Sequence, residues 1–417
     1  MPVRSSAVIC EFNPLHNGHA YLLGRMRDAV GPDGCVICIM SGRFIQRGTP
    51  AIADPYVRAR MAIEAGADLV LELPYPYCAG SAEHFAVAGV RIASALGVDS
   101  LTFGSESADT DLLTCAAEVA DTADFADRYA TLCREGIGTT LAYAHTLEQA
   151  LRGRGISIPE DFPNSNDLLG IAYLRANRAL RCPMEIQTVK RVGDGYRDEI
   201  QRDAQYPSAT ALRNLIDVAE GDSIALTALL DGTMPPRVFD LLMQEIEIGN
   251  APVWGKALLP FYHTRFRLGS PTEFEHFADL SGGLAGHLCR QARCAATGDE
   301  FISLSRTKQF TDARLRRAML FAVTGVTDTD LRKPPRYTTL LAATKAGCRY
   351  LKAWQKQAGA RADDTAIPFS VVTKPADAPV CRQRKLGEQA DALYTLCLPT
   401  PVAAGAWMQR SPHIAEW

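Results

Sequence analysis

No run of apolar residues in this 417-residue chain is long enough to cross a bilayer, which takes about twenty in a row. The first residues, Met1-Pro2-Val3-Arg4, lack the charged, apolar and small-residue zones of a secretory leader, so a cytoplasmic protein is expected. Charge of one sign is not in excess. The net value of −3 gives nucleic acid no overall attraction, and any RNA site must be a local basic patch. The cysteines lack zinc spacing. Cys35-Val36-Ile37-Cys38 lies inside an apolar run, where residues three apart face opposite sides of a strand. His287, Cys289 and Cys294 have no fourth partner at a zinc-like distance. Core packing is therefore expected for the cysteines, with no metal centre built from them. There is also no internal repeat, and the length points to two or three domains instead.

What is present is alternation. Apolar runs at 7–12, 35–40, 68–73, 100–103 and 185–189 read as strands. Helical patterns separate them at 18–29, 55–65, 82–96 and 167–179, with a long helical insert over 111–152. Strands alternating with helices predict βαβ units and a parallel sheet, with ligands at the carboxyl ends of the strands. The second half is mainly helical, with patterns at 235–248, 271–280, 284–295 and 311–323. A linker or loop is expected at 358–365, and short strands at 368–372 and 393–398.

The most telling stretch is Glu11-Phe12-Asn13-Pro14-Leu15-His16-Asn17-Gly18-His19. It joins the first apolar run to an amphipathic one containing Tyr21, Leu22 and Met26. A strand, a tight turn and a helix start meet there with two imidazoles and a glycine. Backbone N–H groups and the helix dipole favour an anion at such a point. Gly18 lets the backbone approach it, and His16 and His19 can donate to a phosphate that gains charge. Without a ligand, the same residues would be two solvated histidines on a turn.

Other strand and helix ends could complete such a site. Met40-Ser41-Gly42-Arg43-Phe44 and Gln46-Arg47-Gly48 follow the second strand, and Gly104 lies at the end of the fourth. Asn166 precedes a helix, where it is either a cap or a ligand contact. Arg191 ends the fifth strand before the Gly193-Asp194-Gly195 turn and could meet phosphate bidentately. Ser208, Thr210 and Arg213 surround another helix start, with Ser208 a plausible cap.

With these residues assembled, His16-Asn17-Gly18-His19 and Ser208-Ala209-Thr210-Ala211-Leu212-Arg213 resemble the two signatures of the HxGH nucleotidyltransferases, relatives of class I aminoacyl-tRNA synthetases. More narrowly, the chain resembles the bacterial tRNA(Met) cytidine acetate ligase family, through 11–19, 40–48, 65–74, 103–106, 163–170, 190–198 and 208–213. Looser likeness runs on through Leu315-Arg316-Arg317 and Pro334-Pro335 to Tyr394. The resemblance implies an α/β protein. A Rossmann-like, ATP-binding catalytic domain with a parallel sheet would span 1–220. A mainly helical, tRNA-contacting domain with a small α+β part would span 221–417.

The resemblance further implies two steps. ATP and acetate give acetyl-adenylate, and the acetyl group passes to N4 of the wobble cytidine of elongator tRNA(Met). His16 and His19 would be catalytic. ATP would contact Ile9, Cys10, Glu11, Phe12, Asn13, Pro14, Leu15, His16, Asn17, Gly18, His19, Ala20, Tyr21 and Leu22, then Gly104, Asn166 and Arg191, with Ser208, Thr210 and Arg213 at the second signature. Mg²⁺ would accompany ATP. The chain departs from the family pattern at Gln309 and Thr339, where the family usually carries arginine. Phosphate contacts are expected among Arg314, Arg316, Arg317, Arg332, Lys333, Arg336 and 382–385. Two other function classes share these features. One is a cofactor-pathway nucleotidyltransferase acting on a small phosphorylated acceptor, which would not need the helical half. The other is an RNA-binding protein with a vestigial pocket.

Overall fold

The first five strands of the computed structural model are β1 (Ser5–Cys10), β2 (Cys35–Ser41), β3 (Leu69–Leu73), β4 (Ser100–Ser105) and β5 (Glu185–Lys190). The structure describes residues 4–191, 206–219, 222–360, 369–400 and 402–417, without the side chains of 358–360. The helices among these strands are α1 (Asn17–Val30), α2 (Pro55–Glu64), α3 (Ala82–Ala95), α4 (Thr110–Ala120), α5 (Ala123–Arg134), α6 (Thr139–Gly153) and α7 (Ser165–Arg178). The insert at 111–152 thus resolves into three helices, α4 to α6. The expected Gly193–Gly195 turn lies outside the described residues.

The five strands stand in the order β5-β4-β1-β2-β3, and every neighbouring pair is parallel. Winding proceeds outward from β1 through β2 to β3, then returns to β4 on the other side. The loops after β1 and β4 therefore diverge and leave a crevice at the sheet's topological switch point. The apolar runs follow from burial on both faces. Every residue of β2 is buried. Cys35, Ile37 and Ile39 face one core and Val36, Cys38 and Met40 the other, so Cys35 and Cys38 are split between faces as their spacing required. Cys289 is likewise core, Cys294 is exposed, and the His287 ring meets the Ser305 carbonyl at 3.0 Å.

The second half carries α8 (Ala209–Val218), α9 (Ser223–Leu230), α10 (Pro236–Glu247), α11 (Leu259–Leu268), α12 (Pro271–Phe274), α13 (Leu284–Cys294), α14 (Gly298–Ser305), α15 (Asp312–Thr324) and α16 (Asp328–Arg332). It then returns to the sheet. β6 (Tyr337–Ala343) runs antiparallel to β3, with Leu69 opposite Ala343. After α17 (Lys345–Ala360), β7 (Ser370–Val372) pairs with β6. After α18 (Arg382–Thr395), β8 (His413–Ile414) also pairs with it. One sheet of eight strands results.

Three local expectations change. Residues 271–280 form only the single turn α12, and the chain then turns through Asp279 with φ +64°. The loop expected at 358–365 begins as the end of α17, and its remainder lies outside the described residues. The strand expected at 393–398 is the last turn of α18 and its exit. Leu386, Ala390, Leu393 and Tyr394 are buried at helical spacing, a period that a six-residue window hides.

Candidate active site

The turn after β1 is built by its own imidazoles. His16 is the N-cap of α1, and its Nδ1 accepts the Gly18 N–H at 3.1 Å. The His19 Nδ1 accepts the His16 N–H at 3.3 Å. This reciprocal pair is a capping box in which histidines replace hydroxyl and carboxylate. The rings lie 3.8 Å apart between centroids, and Phe12 meets His19 edge-on at 5.0 Å. Phe12 holds φ +46°, which sets the sharp exit from β1. A Cβ on Gly18 would lie 3.0 Å from His16 Cε1, so glycine is needed first to seat that ring.

The capping fixes the protons. Each Nδ1 is an acceptor, so each neutral ring carries its hydrogen on Nε2. Burial, with Arg191 and Arg213 nearby, pushes His16 down to about 3. Burial, then His16 and Arg191, holds His19 well below its ordinary value. Two neutral rings therefore present Nε2–H donors side by side at a helix start, where an anion is favoured.

The remaining walls come from distant sequence. Arg213 donates to the Asn13 carbonyl at 2.6 Å and to the Thr210 hydroxyl at 3.0 Å, joining the second signature to the first. Ser208 caps α8 through the Ala211 N–H, as expected. Across the switch point, Arg191 packs over Gly104 and pairs with Glu106 at 3.7 Å. Asn166 donates to Glu106 at 2.5 Å and is not the cap of α7, a place taken by Asn164. Glu106 Oε2 is buried with no hydrogen-bond partner. Asp167 holds these ends together by accepting from Ser105 Oγ, Ser107 N and Asn164 N at 2.6–3.1 Å.

The 9–22 segment divides by role. The side chains of Ile9, Cys10, Phe12 and Leu15 pack in the two cores, so any ligand contact there is through backbone. Pro14 is also buried, Ala20 and Leu22 are half-buried and Tyr21 is exposed. Asn17 reaches back to the Gly232 carbonyl at 2.7 Å and the Thr233 carbonyl at 3.0 Å, tying the turn to the α9–α10 connection. Asn13 accepts the Ile52 N–H at 2.7 Å, and Glu11 accepts the Gln46 N–H at 2.9 Å. Burial raises the Glu11 carboxyl above its usual range.

Two buried arginines hold this frame; sequence reasoning missed Arg58 and named Arg43 only within the polar run after the second strand. Arg58, wholly buried on α2, donates to the carbonyls of Ala53, Glu11, Ser41 and Gly42. It clamps the ends of β1 and β2 together. Arg43 pairs with Asp54 at 2.6 Å and Asp391 at 2.7 Å, and stacks on Trp407 at 3.8 Å. Arg43 and Asp391 border an open cleft at the ends of β2 and β3, also lined by Tyr56, Glu72, Tyr337 and Thr339. Its sequence signals were the polar run after β2 and the departure at Thr339.

The basic clusters separate. Arg317 is mostly buried and pairs with Asp279 at 2.6 Å, and Arg314 donates to the carbonyls of Asp279 and Ser281. Arg316 pairs more loosely with Asp312 at 3.8 Å. Arg382 is held by Asp330 and Arg384 by Glu388. Arg332, Lys333, Arg336 and Lys385 are exposed.

Comparison with known proteins agrees with this geometry. The family model for HIGH Nucleotidyl Transferase matches residues 3–404. The tRNA(Met) cytidine acetate ligase of Acetivibrio thermocellus is 32% identical over 98% of both chains. That of Thermotoga maritima is 32% identical over 91% of both. The crystal structure of Thermotoga maritima TmcAL bound with alpha-thio ATP superposes with a TM-score of 0.85 at 28% identity, each chain covered fully. The apo form gives 0.87. A chain so matched from end to end, with paired histidines at the switch point, belongs to the HIGH nucleotidyltransferases and, within them, to the tRNA(Met) cytidine acetate ligase family.

Proposed function

We propose that this protein activates acetate with ATP and transfers the acetyl group to N4 of the wobble cytidine of elongator tRNA(Met). The observation that carries the reading is the pair of neutral imidazoles with Nε2–H donors at the start of α1. An acetate oxygen attacks the α-phosphorus of ATP, and pyrophosphate leaves with the bonding electrons. Charge grows on the α-phosphate oxygens, where the two Nε2–H groups and the α1 N-terminus meet it without a proton transfer. The N4 amine then attacks the acetyl carbon, AMP departs and one amine proton is lost.

Gly104 lets the nucleoside lie against the end of β4, and Glu106 Oε2 offers an acceptor for a ribose hydroxyl. Arg191 and Arg213 supply positive charge on either side. Mg²⁺ would arrive on the triphosphate and neutralise it there. Residues 1–220 serve the nucleotide and 221–417 the tRNA, with β6 to β8 completing the catalytic sheet. Both substrates place the reaction in the cytoplasm. Relatives matched across both halves favour this ligase over a nucleotidyltransferase for a small phosphorylated acceptor.

The test is incubation with labelled ATP, acetate and single tRNAs. Acetate-dependent ATP–pyrophosphate exchange and an acetylated cytidine in elongator tRNA(Met) are expected. Exchange that ignores acetate would overturn the reading.

A further inference from the structure

Transfer of the acetyl group to an amine leaves one proton to be placed. The amide that forms keeps one N–H, and the other proton must go to a base. Neither histidine of the turn can take it. Each Nδ1 lone pair already accepts a backbone N–H, and each Nε2 carries the ring's proton. The carboxylates on the β4 side of the crevice are committed. Asp167 accepts from Ser105, Ser107 and Asn164. Glu106 is held by Asn166 and Arg191, where the nucleoside is placed above.

Glu11 is different. It is the first residue past β1 and opens the histidine turn. Phe12, next to it, bends back with φ +46° and sets its ring edge-on to His19 at 5.0 Å. The Glu11 Oε1 accepts the Gln46 N–H at 2.9 Å, the carboxylate's one hydrogen bond among the described residues. That bond turns the carboxylate toward the loop after β2. Arg58 holds this loop against the turn through the Glu11, Ser41 and Gly42 carbonyls. Arg213 donates to the Asn13 carbonyl, and its charge acts on His16 and Glu11 alike. The sheet order is β4-β1-β2. A nucleoside on β4 and an α-phosphate at the start of α1 leave the β2 side to the acyl group, and Glu11 faces that side. Glu11 is half-buried, and burial raises its carboxyl against the pull of Arg213, Arg47 and Arg58. A carboxylate raised in this way is a better proton acceptor than an ordinary one. Beside it, Gln46 Nε2 is buried with no hydrogen-bond partner among the described residues, a donor that an acceptor next to Glu11 would satisfy.

We propose that Glu11 is the general base of the transfer half-reaction and takes a proton from N4 of the acceptor cytosine. This rests on the tRNA-ligase reading above. The N4 lone pair forms the C–N bond to the acetyl carbon while the carbonyl electrons move to oxygen. Those electrons return, the C–O bond to the phosphate breaks and AMP leaves with its pair. The N4 proton passes to the Glu11 carboxylate, and the resulting acid releases it to solvent. The Gln46 amide offers a donor to the acetyl oxygen while that oxygen carries charge. Acetate enters adenylation already as an anion and needs no base, so Glu11 weighs on the second half-reaction far more than on the first.

The experiment separates the half-reactions. Glu11→Gln keeps an oxygen for the Gln46 N–H and removes the base. Transfer to elongator tRNA(Met) is measured in one turnover from enzyme-bound acetyl-adenylate. It falls at least roughly a hundredfold, the low end of what a general base supplies, and this loss exceeds any loss of acetate-dependent exchange by at least about tenfold. Equal losses in both half-reactions, or transfer within about threefold of the wild type, overturn the proposal. The pH profile of the unaltered protein decides the matter should Glu11→Gln fail to fold. The groups facing Glu11 are Arg47 after β2, Arg58 on α2 and Arg213 on α8, with Cys10, Cys78 and Tyr173. The arginines keep their charge, and burial pushes the two thiols and the phenol up, so they stay protonated. His16, pushed down to about 3, and His19, held well below its ordinary value, stay neutral. The ratio of transfer to exchange therefore falls as pH is lowered, with a midpoint above the ordinary glutamate value of about 4.3. A ratio that stays flat from about pH 8 to 4.5 overturns the proposal. If the wild type forms acetyl-adenylate but acetylates no tRNA, the ligase reading falls and the base with it. If transfer proceeds as well without the Glu11 carboxylate, only the base falls.

Discussion

Replacing His16 with alanine removes two things at once, and the structure says how to part them. The ring is the N-cap of α1, accepting the Gly18 N–H, and it holds an Nε2–H donor toward the phosphate position. Losing a cap costs about 1 kcal/mol of stability. Losing one transition-state donor costs roughly 10²–10³ in rate, or about 2.7–4 kcal/mol of barrier. His16→Asn separates the terms, because asparagine is among the best capping residues but does not reach the Nε2 position. Urea unfolding should place His16→Ala about 1 kcal/mol below the wild type and His16→Asn close to it. Acetate-dependent exchange should be slow in both, with KM for ATP little changed, since the donor acts in the transition state. If His16→Asn exchanges within about threefold of the wild type, the ring is a cap and nothing more, and the catalytic assignment is wrong.

Acidity gives a second check. His16 sits near 3 in the native protein and near 6.5 unfolded. Between those values the unfolded chain binds a proton that the native one refuses, so its contribution weakens stability as pH falls from about 6.5 toward 3. Denaturation midpoints measured at about pH 7.5 and pH 5 should therefore differ more in the wild type than in His16→Asn. Arg58→Leu strands the carbonyls of Glu11, Ala53, Ser41 and Gly42, and should lower unfolding free energy by at least roughly 3 kcal/mol in a denaturant titration. Gly18→Ala pushes against the His16 ring and should cut exchange far more than it lowers the melting temperature. Reversing charge at Arg332, Lys333 and Arg336 together should weaken tRNA binding and reduce its logarithmic salt slope by about 2–3, read by filter binding across a salt series.

The histidine turn was legible because its signals are local. An apolar run, Asn-Pro, two histidines and a glycine at fixed spacing fall within the thirteen residues 7–19. The five parallel strands were legible for the same reason, each a short apolar run bounded by turns. The likeness of Ser208–Arg213 to a second signature also held, and its Arg213 does meet the first at Asn13. What stayed hidden depends on partners far along the chain. Tyr337–Ala343 is a strand because both of its faces are covered, yet beside Pro334-Pro335 it read as a motif rather than an element. Arg58 looked like an ordinary charged residue and Arg43 like one more polar group after the second strand, and no window around them contains Glu11 or Asp391, which they also serve. Arg317 looked like a phosphate contact until the chain brought Asp279 against it. Periodicity reports burial. It does not report which charge has already been spent inside the protein.

The return of β6 to the edge of β3 sets a timetable for synthesis. Thr344 donates to Asp68 across 276 residues of sequence. While the ribosome is still building the helices in between, β1 to β3 are already available to pair, but β3 exposes an unpaired apolar edge to whatever else is nascent nearby. Closing so long a loop costs little more than closing one half its length, so the delay is one of waiting, not of free energy. A chain released early, at residue 220 for example, would carry both histidines of the turn and an open strand edge. Its fate should be set by aggregation before its chemistry can matter.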